Sequence, residues 1–307
     1  MNRCRNCDAV AIRELGFIGA LAPFFLKRVV GAELITRHPA SPLKRSIQGL
    51  TSIVHRLVAR IHPQTVAVEL QSCLNCSFVQ TKFPFSDEAI GRLYEDYRSD
   101  SYNKERSHYE PTYAAVANSI GSHTEVGLDR VEALTSWLAG KINLNEGTML
   151  DFGGADGKFL PAFHGPKYVY EISDIQPAPG ITRIASESSL QTYSYVQLAH
   201  VLEHVTEPLK LARRVAALVQ EGGYFLIEVP QDVSTQILQQ LQLGDAHRIL
   251  TVHEHINYYS ALSLQKLMEA LDLEVVAIDA VPIEGPMGKQ AFIRGLARRP
   301  RFGSLQA

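Results

Sequence analysis

Apolar residues keep two rhythms along the chain, and the change falls near Gly147. Ahead of it the spacing is helical. Ile47, Leu50, Ile53, Val54, Leu57, Val58 and Ile61 recur at three- and four-residue steps, with Arg56 and Arg60 on the other side. Such a stripe predicts an amphipathic core helix, with a membrane-surface or partner helix as the rarer reading. Ser86 before Asp87-Glu88 predicts a helix start, with the helix running on through Leu93, Tyr94 and Tyr97. Tyr109 to Ala139 predicts further helix, broken near Gly121 and Gly127. After Gly147 come short apolar runs: TMLDF, KYVYEI, SYVQLAHVL, YFLIEVP, LEVVAIDAV and QAFIRGLARR. Helical patterns at Pro208–Val219 and Ser263–Leu271 lie among them. Strands alternating with helices predict an α/β fold with a mostly parallel sheet. Three regions follow: 1–85, which holds four cysteines, an apolar stretch at 15–35 and a turn-rich break at 38–42; a helical linker or lid at 86–144; and the sheet region 145–307.

Of the 307 residues, 46% are hydrophobic and 20% charged, enough to bury a core and too apolar for a disordered chain. The formal charge is -2, which gives no global argument for nucleic acid as a partner. Residues 1–62 nonetheless carry ten Lys/Arg against three Asp/Glu. The opening MNRCRNCDAV lacks the apolar run of a secretory signal. Leu15 to Leu26 is too short for a bilayer and contains Pro23. The expectation is a cytoplasmic protein with no integral membrane segment.

The segment Met149-Leu150-Asp151-Phe152-Gly153-Gly154-Ala155-Asp156-Gly157-Lys158 puts an acid at a strand end, then a glycine turn, then an expected helix from near Lys158. Glycines there let a ligand approach the backbone closely. The spacing is neither GxGxxG nor a Walker loop. An acid directly before the turn favours a ligand with a cationic group over a pyrophosphate. S-adenosylmethionine carries an ammonium and a sulfonium. A second acid for ribose hydroxyls is expected about 20 residues on. Glu171 stands there, with Asp174 in reserve.

DFGGADG, AHVLEHVTEP and LVQEGGYFLIEVP together resemble class I S-adenosylmethionine-dependent methyltransferases over roughly 145–298. That resemblance implies a Rossmann-like seven-stranded methyltransferase sheet. It places S-adenosylmethionine over Asp151, Gly153, Gly154, Ala155 and Gly157, with Glu171 and His200 also at the cofactor. Gly222-Gly223 matches the family's turn into its fifth strand, and Ala155 replaces one of its glycines. Either Ser186 or Glu187 stands at the family's adenine contact.

Histidines gather in two places. His200, Glu203 and His204 follow the fourth expected strand, whose carboxyl end faces the ligand crevice of such sheets. The second group is His253-Glu254-His255-Ile256-Asn257-Tyr258-Tyr259-Ser260. A histidine suits proton removal from a methyl acceptor, and a carboxylate can orient it. The spacing is not HExxH, which excludes the usual zinc-protease helix, and a metal held by these three residues alone is a lesser reading. HEHINYYS is similar to the HEH-x-x-Y-[FY]-S signature of nucleotide-sugar C-methyltransferases. By that likeness His255 is the base, oriented by Glu254, with His204 and Tyr97 (less so Tyr94) shaping the acceptor site. The acceptor is then a small metabolite, with a sugar or nucleotide sugar preferred.

Cys4-x2-Cys7 and Cys73-x2-Cys76 keep the same tight spacing, so each pair can present two thiolates to one closed, structural Zn2+. A redox dithiol is the alternative. The family resemblance places such a zinc domain before the methyltransferase domain, but those relatives continue into a further C-terminal α/β domain. The departure weakens the case for a nucleotide sugar and for carbon as the accepting atom. An O-methyltransferase and a non-catalytic binding module are the rival readings.

Overall fold

The computed structural model describes residues 3–31, 66–119, 123–142, 147–232, 250–286 and 288–301. The helical stripe at 47–61, the break at 38–42 and Gly121 lie outside the described residues.

Nine of the described strands, all after residue 123, build one sheet. They are β4 (Thr124–Glu125), β5 (Leu128–Asp129), β6 (Met149–Phe152), β7 (Lys167–Tyr170), β8 (Ile181–Ile184), β9 (Tyr193–Ala199), β10 (Val219–Pro230), β13 (Glu274–Gly285) and β14 (Gly288–Arg298). They run in the order β5-β4-β13-β14-β10-β9-β6-β7-β8. From β8 across to β10 every pairing is parallel, and β14 joins β10 antiparallel. The seven strands from β13 to β8 are the expected methyltransferase sheet, widened at the β13 edge by the β4–β5 hairpin. Strand order reverses between β6 and β9, and a ligand crevice opens at the carboxyl ends of strands at such a point.

The parallel strands read as continuous apolar runs because both faces are covered. Helices Pro208–Ala216 and Ala261–Glu269 pack on one face, where Leu209, Ala212, Val215, Leu264 and Leu267 meet Val196, Leu198 and Phe225. Helix Arg130–Leu138, capped by Asp129, covers the other with Leu134 and Leu138. Among the described residues no helix is long and apolar enough to cross a membrane.

Three sequence expectations need correction. No helix follows the glycine turn: residues 153–166 join β6 to β7 through turns and bends. The helix capped by Ser86 ends at Leu93 and does not reach Tyr97; Asp96 (φ 55°) and Arg98 (φ 64°) turn the chain sharply. The expected helical segment from Tyr109 to Ala139 does break near Gly127, but there it forms the β4–β5 hairpin, which turns at Val126 and Gly127. Ahead of it, a helix Asp100–Tyr109 begins at the Ser99 cap.

A second, five-stranded sheet has the order β11-β1-β2-β3-β12. Here β1 (Ile12–Leu21), β2 (Val66–Cys73) and β3 (Val79–Thr81) come from the N-terminal region. The edges β11 (Leu250–Val252) and β12 (Asn257–Tyr258) come from the C-terminal half. The chain therefore passes from one edge of this sheet to the other between Val252 and Asn257, carrying His253, Glu254 and His255. Phe24, Phe25, Val68, Phe85, Leu93, Tyr102, Val252 and Ile256 share one core, so N-terminal strands, linker helices and the HEH segment pack as a unit.

Candidate active site

The turn after β6 depends on its glycines. Gly153 and Gly157 hold φ of 73° and 74°, where a side chain is strained. A Cβ on Gly154 would collide with the Asp151 carboxylate, and one on Gly153 would lie 2.8 Å from Val201. Ala155 also sits at positive φ (54°), and its N–H donates to Glu171 Oε2 at 2.9 Å. Glu171 Oε1 accepts from Ser173 N–H at 2.9 Å, so this carboxylate clamps the turn. Asp151 is buried, and burial pushes its carboxyl up to about 7. Gly222, at φ 74°, lies in an irregularity of β10 that shifts its register against β9. Asp174, Ser186 and Glu187 are exposed.

The loop after β9 abuts this turn through Val201. His200 has a left-handed backbone (φ 55°) and stands between two carboxylates: Nε2 lies 3.2 Å from Glu228 Oε1 and Nδ1 lies 3.4 Å from Glu203 Oε1. His204 Nδ1 takes the Tyr94 hydroxyl at 2.7 Å, and its Nε2 is 3.6 Å from Glu203 Oε1. Burial pushes His204 down, toward the neutral imidazole. Tyr94, the reserve tyrosine, is thus the one that touches His204. Tyr97 stacks edge-on behind it at 5.4 Å, and burial lifts its phenol to about 12.

The three residues of HEH part company. His253 is largely exposed and approaches Glu110 at 3.3 Å. Glu254 pairs with Arg106, a buried guanidinium that also lies over the Tyr113 ring at 4.1 Å. Burial opposes ionisation of Glu254, but Arg106 keeps it a carboxylate. His255 instead bonds Asp232 Oδ2 through Nδ1 at 2.6 Å, and its ring meets His204 at 4.8 Å between centroids. The orienting carboxylate for His255 is therefore Asp232, not Glu254. Burial lowers the His255 pKa, Asp232 more than reverses this, and the imidazole is held up at about 9. Sequence reasoning missed Asp232 and Arg106: each lies more than 20 residues from its partner, and no local spacing marks it.

The four cysteines converge. Cys4 Sγ is 3.6 Å from Cys76 Sγ, Cys7 Sγ is 3.7 Å from Cys73 Sγ, and all four sulfurs lie within 4.8 Å of one another. None forms a disulfide. The two knuckles repeat one turn: Asp8 N–H donates to Cys4 O and Ser77 N–H to Cys73 O, both at 2.9 Å, with φ of 59° and 58°. Asn6 and Asn75 side-chain amides approach Cys76 and Cys7 Sγ at 3.6 Å. Thiolates at about 2.3 Å from a tetrahedral metal stand about 3.8 Å apart, so the donor set fits zinc.

Residues 128–278 match the family model of a methyltransferase domain. With the sheet order and glycine turn, that match supports a class I S-adenosylmethionine-dependent methyltransferase domain over this segment. The C-methyltransferase NovU of Streptomyces niveus is 26% identical over 195 residues, covering 56% of this chain and 43% of NovU. The chain thus spans less than half the length of that curated relative. Among solved structures, the 1,6-didemethyltoxoflavin-N1-methyltransferase of Burkholderia thailandensis with bound S-adenosylhomocysteine is 14% identical (TM-score 0.45, covering 74% of this chain and 97% of that one). The magnesium protoporphyrin IX methyltransferase of Synechocystis PCC 6803 is also 14% identical (TM-score 0.43, covering 69% and 100%).

Proposed function

We propose that the protein transfers a methyl group from S-adenosylmethionine to a small-molecule acceptor, preferably a sugar or nucleotide sugar, with His255 as general base. The observation that carries this reading is the meeting of three distant segments. Tyr94 from the linker, His204 after β9, and His255 with Asp232 gather beside the loop whose Val201 closes on Gly153. S-adenosylmethionine, when bound, supplies a methyl on a positively charged sulfur. The chain's own residues do the rest. Asp151, beneath the turn, offers negative charge to the donor's ammonium, and Glu171 holds the turn shaped for close backbone contact. The neutral form of His255 takes the acceptor's proton at Nε2, and Asp232 at Nδ1 stabilises the imidazolium that results. Arg106 holds Glu254 ionised beside the same loop, available to accept a hydrogen bond from an acceptor hydroxyl. The relative named as a C-methyltransferase supports carbon as the accepting atom, and hydroxyl oxygen is the alternative.

The Cys4, Cys7, Cys73 and Cys76 cluster is proposed to hold a closed structural zinc that fastens the two knuckles and takes no part in transfer. The test of the activity is labelled-methyl transfer across a panel of metabolites and nucleotide sugars, with wild type, His255→Ala and Glu254→Gln side by side. We expect His255→Ala to lose at least ~10²-fold of the wild-type rate. Undiminished turnover in that variant would remove the base assignment, and a C–CH3 rather than O–CH3 signal in product NMR would fix the accepting atom.

A further inference from the structure

Glu203 is a buried carboxylate with only imidazoles beside it: His200 Nδ1 at 3.4 Å and His204 Nε2 at 3.6 Å from Oε1. It is 1% exposed, and neither oxygen has a hydrogen-bond partner. A buried carboxylate in that condition is strongly unfavourable unless a cation supplies the missing interaction. Glu203, His204 and His255 each place one ligand atom within 4.8 Å of the others. On both rings Nδ1 is already engaged, by the Tyr94 hydroxyl at 2.7 Å and by Asp232 at 2.6 Å, which leaves Nε2 free. Metal-binding imidazoles are characteristically anchored this way through the second ring nitrogen.

We propose that Glu203, His204 and His255 form a site for one divalent transition-metal cation, separate from the four-thiolate cluster. Two imidazoles and a carboxylate suit Zn2+ or Co2+. Nitrogen and oxygen ligands about 2.0–2.1 Å from a tetrahedral ion stand about 3.4 Å apart. The 3.6 Å from His204 Nε2 to Glu203 Oε1 is already close to that separation. His255, 32% exposed and held at Nδ1 by Asp232, supplies the third ligand atom. Three protein ligands leave a fourth position open to water or an acceptor oxygen. His253 and Glu254 take no part, being engaged by Glu110 and Arg106. The inference goes beyond the methyl-transfer reading: a ring nitrogen holding a cation accepts no proton, so a loaded site and His255 acting as base exclude each other.

The test loads the full chain with Co2+ by equilibrium dialysis and counts bound ions by elemental analysis, in wild type, Glu203→Gln and His255→Ala. Wild type is expected to hold one more ion per chain than either variant. Equal content in all three overturns the proposal. Thiolate-to-cobalt absorption from the cysteine cluster reports folding independently and is expected to be the same in all three. If Glu203→Gln fails to fold, the partly exposed His255 position carries the comparison alone. No methyl donor or acceptor enters the measurement, so its failure and the failure of the transferase reading are told apart.

Discussion

Glu228 and Glu203 are both fully buried, lie on adjoining parts of the sheet's ligand end and share His200 as a neighbour, yet the protein treats them in opposite ways. Glu228 is saturated: Arg294 Nε donates at 2.7 Å, Arg130 Nη2 at 2.9 Å, and His200 Nε2 stands at 3.2 Å. Arg294 also reaches Glu125 on the β4 strand at 2.6 Å. Burial opposes ionisation of Glu228, but the two guanidinium groups hold its carboxyl well below the usual range. Glu203 is charged by a different means. Burial again opposes, and the imidazoles of His204, His200 and His255 draw its pKa down to about 2 with no guanidinium beside it. A saturated buried charge fastens elements together. An unsaturated one keeps capacity in hand for something that arrives.

The contrast can be broken at several points. Glu228→Ala leaves Arg294 and Arg130 short of their shared partner, and loss of one member of a buried pair costs about 3–5 kcal/mol. Denaturant unfolding should show that loss, and a change below about 1 kcal/mol would erase the structural half of the comparison. Glu203→Gln removes charge but few contacts, so its stability should stay within about 1 kcal/mol of wild type. Large destabilisation would give Glu203 the fastening role assigned to Glu228. Asp232→Asn should lower transfer by about 10–100-fold, the usual effect of losing a residue that orients a working histidine. Equal rates in kinetic assays would detach Asp232 from the site.

Asp151 is an intermediate case. One oxygen lacks a partner and burial lifts its pKa to about 7, so the donor-free protein carries it mostly protonated at pH 6. A cationic ligand favours the ionised form. Donor binding should then release most of one proton at pH 6 and almost none at pH 8. Calorimetry in buffers of differing ionisation heat reads this directly, and the same release at both values would separate Asp151 from the donor. With its pKa raised in the folded state, Asp151 destabilises the donor-free protein increasingly as pH rises through about 4 to 7.

Local signals carried much of this into view from sequence. Apolar runs marked β6, β7, β9, β10, β13 and β14, Ser86 marked its helix start, and the paired cysteine spacing marked two knuckles that do meet. What stayed hidden was of two kinds. One is the loop from Gly153 to Pro166, which takes turns and bends where the glycine spacing predicts a helix. The rest was non-local: Arg106 to Glu254, Asp232 to His255 and Arg294 to Glu125 join residues brought together only by the folded sheets. The sharing of β11 and β12 with the N-terminal sheet was hidden for the same reason, since neither strand exceeds three residues.

That sharing bears on how such a chain can be rearranged. Because Leu250–Val252 and Asn257–Tyr258 supply both rims of the N-terminal sheet, the two halves are stitched, not strung. Cutting the chain near residue 144 would strip two rims from one fragment and leave the HEH stretch of the other with nothing to lie against. Exposed rims of this sort invite aggregation. Grafting the front half onto a foreign transferase should therefore succeed only when the stitching segment travels with it.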